Sequence, residues 1–312
     1  MNIYREFKPS LHGCGVHTVA TLGTFDGVHL GHQAILDRVV DSAARLHVEP
    51  VVLTFARHPI SVIKPEITPK LLTTLDEKLA HFERCGIQSV YVLSFTKEIA
   101  EMTAEQFITH YLIGCLGMEH FVVGYDHGFG KGRHVSSAEL EKYSSKYHFG
   151  LDILPPVVIN GKPVKSSFIR ELLLEGKVGN ASELLGSLYS LEGTIIEGSG
   201  VGKKIGFPTA NMVIQDTEKI IPATGVYTGW ITFDDEQRDA LIVVGSSPTF
   251  ETIKHAIEIH IPGFTGNLYR KKVRTEFSHR LRDLEKFHSR HDLIRQISMD
   301  IEQSKQFLTH KT

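Results

Sequence analysis

The sequence predicts two domains: an α/β domain built on a parallel sheet, then an antiparallel β-barrel with a C-terminal helix. At 312 residues the chain exceeds one typical domain. Its first half alternates strand-like and helix-like segments, as βαβ units do. In the second half, strand-like segments follow one another without helices, which favours an antiparallel sheet or barrel. We place the boundary near Gly186, giving domains 1–186 and 187–312.

In the first half, apolar and β-branched runs predict strands, and apolar residues at helical spacing predict helices. Strands are predicted at residues 16–25, 51–55, 89–93 and 121–123. Helices are predicted from about residue 32, near 75–84, near 104–112, and from 167 to about 188. Because ligands of parallel βαβ sheets bind at the carboxyl ends of the strands, we expect the site there.

In the second half, short turns separate the predicted strands. These strands are residues 191–197, 225–233, 240–244, 256–261 and 272–277. Leu293, Ile297 and Ile301 recur at helical spacing within residues 291–307. This pattern predicts a final helix that packs one face onto the barrel.

Composition excludes several classes of protein. The 34 basic and 36 acidic residues give a net charge of −2, so no global charge favours nucleic acid, and any phosphate-binding surface must be local. Cys14, Cys85 and Cys115 are far apart, which argues against a disulfide framework and a cysteine zinc site and favours the cytoplasm. No apolar run approaches the roughly 20 residues that cross a bilayer, so we expect no membrane insertion.

Two histidines flank a glycine in residues 23–32, GTFDGVHLGH, where a predicted strand turns into a helix. We call these residues the histidine turn. A helix N-terminus offers unpaired N–H groups to an anion, Gly31 permits close backbone approach, and imidazoles can donate to phosphate oxygens. A capped helix with two polar surface histidines explains the pair equally well. Zinc chelation by His29 and His32 is disfavoured, because no third ligand has a motif spacing.

Three further clusters lie at the ends of predicted elements of the first half. They are residues 54–59 (TFARHP), 124–133 (GYDHGFGKGR) and 165–170 (KSSFIR). Each alone could be a turn or a cap: Ser166 or Ser167 is a fair N-cap, and the glycine-rich stretch could be a loop. Together with the histidine turn, they converge on one rim of the sheet, as a site requires.

These four segments, in this order and spacing, closely resemble the adenylyltransferase module of bacterial bifunctional riboflavin kinase/FAD synthetases. That module is similar to Rossmann-like nucleotidyltransferases bearing the HxGH signature. The resemblance implies transfer of AMP from ATP to FMN with release of pyrophosphate, assisted by Mg²⁺. It implies that His29 and His32 hold the ATP phosphates, with Arg170 as a second clamp. It also implies ATP contacts at Gly23, Phe25, Asp26, Gly31, Ser166 and Ser167, and flavin contacts at His58, Pro59, Asp126 and Phe129.

The second half has its own signature in residues 198–211, GSGVGKKIGFPTAN. It is not a Walker A loop, because Lys204 stands where Ser or Thr should hold magnesium. A barrel-like segment surrounds it, so it is not a Rossmann fingerprint either. A glycine loop with two lysines can still bind phosphates through backbone N–H groups, and a mobile basic loop is the alternative.

GKKIGFPTAN resembles the riboflavin kinase module, in the position where the bifunctional family has it. Residues 225–227, 245–250, 257–260 and 267–269 continue the resemblance. It implies that Thr209 and Asn211 arrange Mg²⁺ and ATP, and that Glu258 is the base for the ribityl 5′-hydroxyl. Glu258 could instead be an outward strand residue between Ile257 and Ile259. Further implied ATP contacts are Gly200, Gly202, Lys203 and Pro208.

The sequence departs from the family pattern at several positions. His127 and Gly128 replace an aromatic residue and Arg. The serine cluster of the family commonly begins Ser-Ser, whereas this chain has Lys165 before Ser166. Arg270 replaces a turn glycine. The resemblance nevertheless implies an enzyme that uses riboflavin, FMN and ATP and forms FMN and FAD. An enzyme with one activity, or a flavin- or nucleotide-binding regulator, remains the alternative. We expect a monomer or a weak homo-oligomer.

Overall fold

A computed structural model describes residues 1–5, 17–64, 66–67, 69–131, 135–198, 200–214, 216–245 and 256–308. The chain folds into two compact units, Met1–Ser166 and Ser167–Thr312. The boundary predicted near Gly186 lies beyond the two helices at the start of the second unit, and it stays a prediction.

The first unit is an α/β fold around one parallel sheet, as predicted. Its strands, in the order β1-β4-β3-β2-β5-β6, all pair in parallel. The elements in chain order are β1 (Asn2–Tyr4), β2 (Thr18–Leu22), α1 (Leu30–Leu46), β3 (Glu49–Phe55), α2 (Ile60–Ile63), α3 (Leu75–Arg84), β4 (Ser89–Leu93), α4 (Lys97–Glu101), α5 (Ala104–Phe107), β5 (Met118–Gly124), α6 (Ser137–Tyr147), β6 (Gly150–Leu154), β7 (Val158–Ile159) and β8 (Lys162–Pro163). The chain of α5 continues as a π-helix over Ile108–Cys115.

Both faces of this sheet are buried. Val19 and Val52 belong to one apolar cluster, whereas their chain neighbours Ala20 and Leu53 belong to another. Successive side chains of a strand point to opposite faces, so the two clusters lie on the two sides of the sheet. Burial on both faces explains why β2 and β3 are nearly continuous apolar runs.

The second unit is a closed barrel of antiparallel strands, again as predicted. The barrel order is β10-β13-β12-β11-β14-β9. The elements in chain order are α7 (Ser166–Leu174), α8 (Val178–Leu185), β9 (Tyr189–Ile196), α9 (Val201–Lys204), β10 (Thr209–Val213), β11 (Gly225–Phe233), β12 (Glu236–Gly245), β13 (Ala256–His260), β14 (Lys272–Arg282) and α10 (Arg290–Ser304). The last helix contacts β12 and β14, as expected, and a bidentate pair between Arg282 and the buried Asp300 fastens it.

The prediction of one helical stretch over residues 167–188 is wrong. The chain breaks after α7 at Gly176, which has a φ of +76°. The N–H of Lys177 donates to the carbonyl of Leu172, a bond that closes a helix C-terminus. A second difference lies in residues 198–211, which contain α9 and β10 as well as loop.

Candidate functional site

The histidine turn connects β2 to α1 at the carboxyl edge of the parallel sheet. Phe25 and Val28 have positive φ angles of 48° and 38°, in the region that usually favours glycine, and Gly27 has 85°. Such a conformation is strained for the β-branched Val28. The side-chain amide of Gln33 donates to the Val28 carbonyl (2.8 Å), which fixes the end of the turn.

His29 is the N-cap of α1, and its role as a cap determines its tautomer. Its Nδ1 accepts the backbone N–H of His32 at 3.3 Å, so the neutral ring carries its proton on Nε2. The rings of His29 and His32 stack with centroids 3.7 Å apart. A Cβ on Gly31 would lie 3.1 Å from the His29 ring, so glycine leaves room for that stack. The capped helix exists, but His29 is buried (6% exposed) rather than a surface residue.

His32 lies in surroundings that favour its neutral form. Burial, with the nearby His29 and Lys78, lowers its pKa well below the ordinary value of 6.5. Its Nδ1 is buried and has no hydrogen-bond partner in the part of the chain that the structure describes. Phe25 contacts the His32 ring edge-on, with centroids 5.2 Å apart.

Asp26 binds the histidine turn to the segment before α3. Its carboxylate accepts the backbone N–H groups of Leu72 (3.0 Å) and Thr73 (3.1 Å). The Thr73 hydroxyl in turn accepts the N–H of Gly27 at 2.9 Å. Asp26 is therefore buried with structural partners, and its predicted contact with ATP would be indirect. Gly23 packs against the ring of Phe25, which a Cβ would approach to 3.0 Å.

Sequence reasoning missed Lys78, on α3. It is 8% exposed, and its Nζ donates to the Thr24 carbonyl at 2.9 Å. Burial lowers its pKa to about 8, although the negative charge of Asp26 opposes this shift. The capping box of Thr74 and Glu77 fixes the start of α3 and is legible in the sequence. The capping box predicts where the helix begins, but it does not predict that Lys78 is buried.

Ser166 is joined to the histidine turn: its hydroxyl donates to the Asp26 carbonyl at 2.9 Å. Ser167 and Arg170 lie on α7 within the second compact unit, where Ser167 is exposed and Arg170 is partly buried. Their part in the ATP site stays a prediction.

The predicted flavin contacts lie on loops after β3 and β5. His58 accepts the N–H of Ile60 at 3.2 Å, and Pro59 is buried beside it. Asp126 is exposed, whereas Phe129 packs against Phe107 and Phe121 in the core. Phe129 therefore has a structural role whatever its role in binding.

His127, which replaces the aromatic residue of the family pattern, turns back onto its own loop. Its Nδ1 bonds to the Gly124 carbonyl at 2.8 Å. Lys165, the other departure near this site, lies with its Nζ 5.7 Å from the centroid of the Tyr125 ring. Residues 132–134, including Arg133 of this cluster, lie outside the described residues.

In the barrel, the glycine loop folds against the polar start of β10. A Cβ on Gly202 would lie 2.4 Å from the Phe207 carbonyl oxygen, and one on Gly198 would overlap the Asn211 amide. Gly200 caps α9 with a φ of +67°, and Lys203 and Pro208 are exposed. Close packing therefore requires glycine at positions 198 and 202, and the mobile-loop alternative stays open.

Glu258 lies beside Thr209 and Asn211. The Thr209 hydroxyl is 3.4 Å from a Glu258 carboxylate oxygen, and Asn211 pairs with Glu258 across β10 and β13. Glu258 is exposed, whereas Ile257 and Ile259 are buried, so the alternation predicted for this strand is confirmed. Hydroxyl, amide and carboxylate oxygens are the donors that Mg²⁺ prefers, and this set fits it. Among the described residues, no three His, Cys, Asp or Glu side chains form a metal cluster.

Comparison with known proteins identifies the family. The FAD synthetase family matches residues 14–168, and the riboflavin kinase family matches residues 185–308. The bifunctional riboflavin kinase/FMN adenylyltransferase of Haemophilus influenzae is 32% identical over 95% of this chain and 95% of its own length. The protein of that name from Listeria monocytogenes is 31% identical over 94% of this chain and 93% of its own length.

This chain belongs to the bifunctional riboflavin kinase/FMN adenylyltransferase family. Like other riboflavin kinase/FMN adenylyltransferases, it combines an FAD synthetase domain with a riboflavin kinase domain. A crystal structure from Streptococcus pneumoniae, named a macrolide-efflux protein, matches 98% of this chain and 99% of its own, with a TM-score of 0.90 and 28% identity. No helix within the described ranges is long and apolar enough to cross a membrane.

Proposed function

We propose that this enzyme phosphorylates riboflavin to FMN in the barrel and adenylylates FMN to FAD at the histidine turn, with ATP as the donor in both steps. The observation that carries the proposal is the stacked pair of His29, which is buried, and His32, which is partly buried, at the N-terminus of α1. Helix N–H groups, the helix dipole and the Nε2 proton of His29 all favour a triphosphate at this position.

In adenylyl transfer a phosphate oxygen of FMN attacks the α-phosphorus of ATP in line and pyrophosphate leaves. This displacement needs alignment and charge stabilisation rather than a covalent nucleophile on the enzyme. His29 donates from Nε2 to a phosphate oxygen of ATP. His32, whose ring stacks on that of His29, contacts the phosphates at a second point. Arg170 is proposed as a further clamp on the phosphates through its planar guanidinium, and Ser166 and Ser167 as contacts at the start of α7. His58, Pro59, Asp126 and Phe129 are proposed to line the FMN side.

In the barrel, we assign the base to Glu258, which is exposed beside Thr209. Its carboxylate accepts the proton of the ribityl 5′-hydroxyl as that oxygen attacks the γ-phosphorus of ATP, the bond from that phosphorus to the bridging oxygen breaks, and ADP leaves. Thr209 and Asn211 would hold Mg²⁺, which neutralises phosphate charge when bound. The N–H groups and glycines of residues 200–208, together with Lys203, would bind the ATP phosphates.

Incubation with riboflavin, ATP and Mg²⁺, followed by chromatographic separation of the flavins, tests the proposal. We expect FMN and FAD together. If FMN is the only product, the enzyme has kinase activity alone. A second incubation that starts from FMN and yields no FAD would confirm that the adenylyltransferase activity is absent. Unchanged riboflavin with measurable flavin binding would support a regulator. We also propose that the enzyme acts in the cytoplasm, as a monomer or a weak homo-oligomer.

A further inference from the structure

Lys78 is a buried lysine that none of the assigned steps uses. It lies in the first turn of α3 with 8% of its surface exposed. Lysine is almost never so buried unless something binds its ammonium group. Here the ammonium donates to the carbonyl of Thr24, which lies two residues after the end of β2 and just before the strained part of the histidine turn.

The Thr24 carbonyl is held from two sides. The Lys78 ammonium donates to it at 2.9 Å, and the hydroxyl of Thr54, on β3, approaches it at 3.4 Å. Phe25, the next residue, and Val28, four residues on, have positive φ angles. A peptide fixed at the entrance of such a turn limits the turn to one conformation, and hence fixes where the two histidines lie.

The ammonium also adds charge to the site. Among the described residues, Lys78 interacts electrostatically with Asp26, whose negative charge raises the pKa of Lys78, and with His32, whose pKa Lys78 lowers; His29 stacks on His32. On its own helix, Glu77 turns away to accept the N–H of Thr74. A cation in this poorly solvated region acts on a bound anion more strongly than a surface lysine would.

We propose that Lys78 is a positioning residue for adenylyl transfer, which fixes the Thr24 carbonyl and adds a positive charge behind His29 and His32 for the triphosphate of ATP. The inference rests on the proposed function, in which the histidine turn binds ATP. It assigns a role in the reaction to α3, an element that carries none of the motif residues.

The pH profile separates a charge role from a packing role. Burial lowers the pKa of Lys78 to about 8, so the ammonium loses its proton within a practical assay range. We expect kcat/KM for ATP in FAD formation to fall above about pH 8. FMN formation in the barrel, measured on the same samples, should lack this alkaline decrease. A neutral amine can still bond to the Thr24 carbonyl, so a purely structural Lys78 would produce no decrease.

Lys78→Met removes the charge and retains much of the volume. We expect kcat/KM for ATP in FAD formation to fall about tenfold or more, as misplaced catalytic groups do, and to lose its alkaline decrease. FMN formation should be unchanged. Lys142→Met, at an exposed position on α6, is the matched control and should leave both reactions unchanged.

Two results would overturn the inference. The first is a kcat/KM for ATP in FAD formation that is the same in Lys78→Met as in the wild type. The second is a wild-type kcat/KM that does not decrease at alkaline pH. The second needs no variant and decides the matter if Lys78→Met does not fold. His29→Ala, measured in parallel, tests the proposed function separately. If His29→Ala still forms FAD, the ATP site itself is wrongly assigned. If His29→Ala loses FAD formation while Lys78→Met retains it, the ATP site stands and only the role of Lys78 is wrong.

Discussion

Arg270 adopts a backbone conformation that favours glycine. Its φ is +64°, and its N–H donates to the Ile195 carbonyl at 2.9 Å. The family pattern Asn-Leu-Tyr-Gly-Lys has glycine at this position. Arg270 therefore occupies the left-handed region, where an L-residue costs roughly 1–2 kcal/mol.

Arg270→Gly should stabilise the barrel by about 0.5–1 kcal/mol, because glycine's extra freedom in the unfolded chain offsets part of the gain. Arg270→Ala is the control, since it removes the exposed side chain but keeps the Cβ and its strain. Urea unfolding followed by the fluorescence of Trp230, the single tryptophan of the chain, reports on the barrel. Equal stability of the two variants would show that the turn carries no strain at this residue.

The lowered pKa of the partly buried His32 predicts a pH dependence of stability. Its pKa in the folded chain lies well below 6.5, its ordinary value. As the pH falls below 6.5, the unfolded chain therefore takes up a proton that the folded chain does not. Stability is then lost with decreasing pH, by up to about 1.4 kcal/mol per pH unit for one proton.

His32→Gln should remove this contribution. We expect the free energy of unfolding of the wild type to decrease more steeply below pH 6.5 than that of the variant. Urea unfolding followed by far-ultraviolet circular dichroism, which detects the helices, measures it. Trp230 fluorescence provides the internal control, because the barrel should respond alike in both proteins. Parallel pH profiles from circular dichroism would refute the assignment to His32.

At the scale of elements, periodicity predicted those with strong apolar patterns. The helix over Leu75–Arg84 and the strands at Ser89–Leu93 and Gly225–Phe233 have the predicted bounds. Elements with weak patterns were missed. Of α6, only Leu140 is buried, and β1 is an edge strand of three residues. The apolar face of α6 is narrow, Leu140 with the partly buried Tyr143 and Tyr147, and three residues are too few for β1 to show a pattern.

The break between α7 and α8 was missed because both helices contain apolar residues at helical spacing, and Gly176 alone separates the patterns. A Cβ on Gly176 would lie 2.8 Å from Arg280 and 2.9 Å from the hydroxyl oxygen of Tyr227, which is fully buried. Both the positive φ and this crowding require glycine. The spacing of apolar residues shows neither.

Gly176→Ala should therefore destabilise the barrel unit. The control is Gly263→Ala, which has a similar φ of +72° but nothing within 4 Å of the added Cβ. Backbone strain is common to both variants, so their difference isolates the crowding, which we expect to be about 1–3 kcal/mol. Urea unfolding monitored by Trp230 measures both. A difference near zero would mean that Arg280 and Tyr227 move aside without cost.

At the scale of the whole molecule, motifs predicted where the chemistry lies but not how its groups are held. The sequence singled out His29, Glu258 and the glycine loop, because residue types at fixed spacing mark them. It did not predict the burial of His29 or the lysine behind it, since burial depends on how distant segments pack. Asp26 shows the same limit, because its backbone partners at residues 72 and 73 have no sequence signature.

Two compact units, each with its own cluster of candidate residues, predict two activities that can be lost independently. His29→Ala should reduce FAD formation from FMN by about 10²- to 10³-fold, the usual effect of losing one transition-state donor, and should spare FMN formation. Glu258→Gln should reduce FMN formation by about 10²-fold or more, as expected for a lost general base, and should spare FAD formation from FMN.

Chromatographic separation of flavins measures both reactions, each started from its own substrate so that loss of the first does not starve the second. Mixing the two variants with riboflavin and ATP should restore FAD synthesis, because FMN released by His29→Ala is then available to Glu258→Gln. An equal loss of both activities in either variant would contradict separate sites. Failure of the mixture, with each variant active on its own substrate, would instead indicate that FMN does not leave the molecule in which it is made.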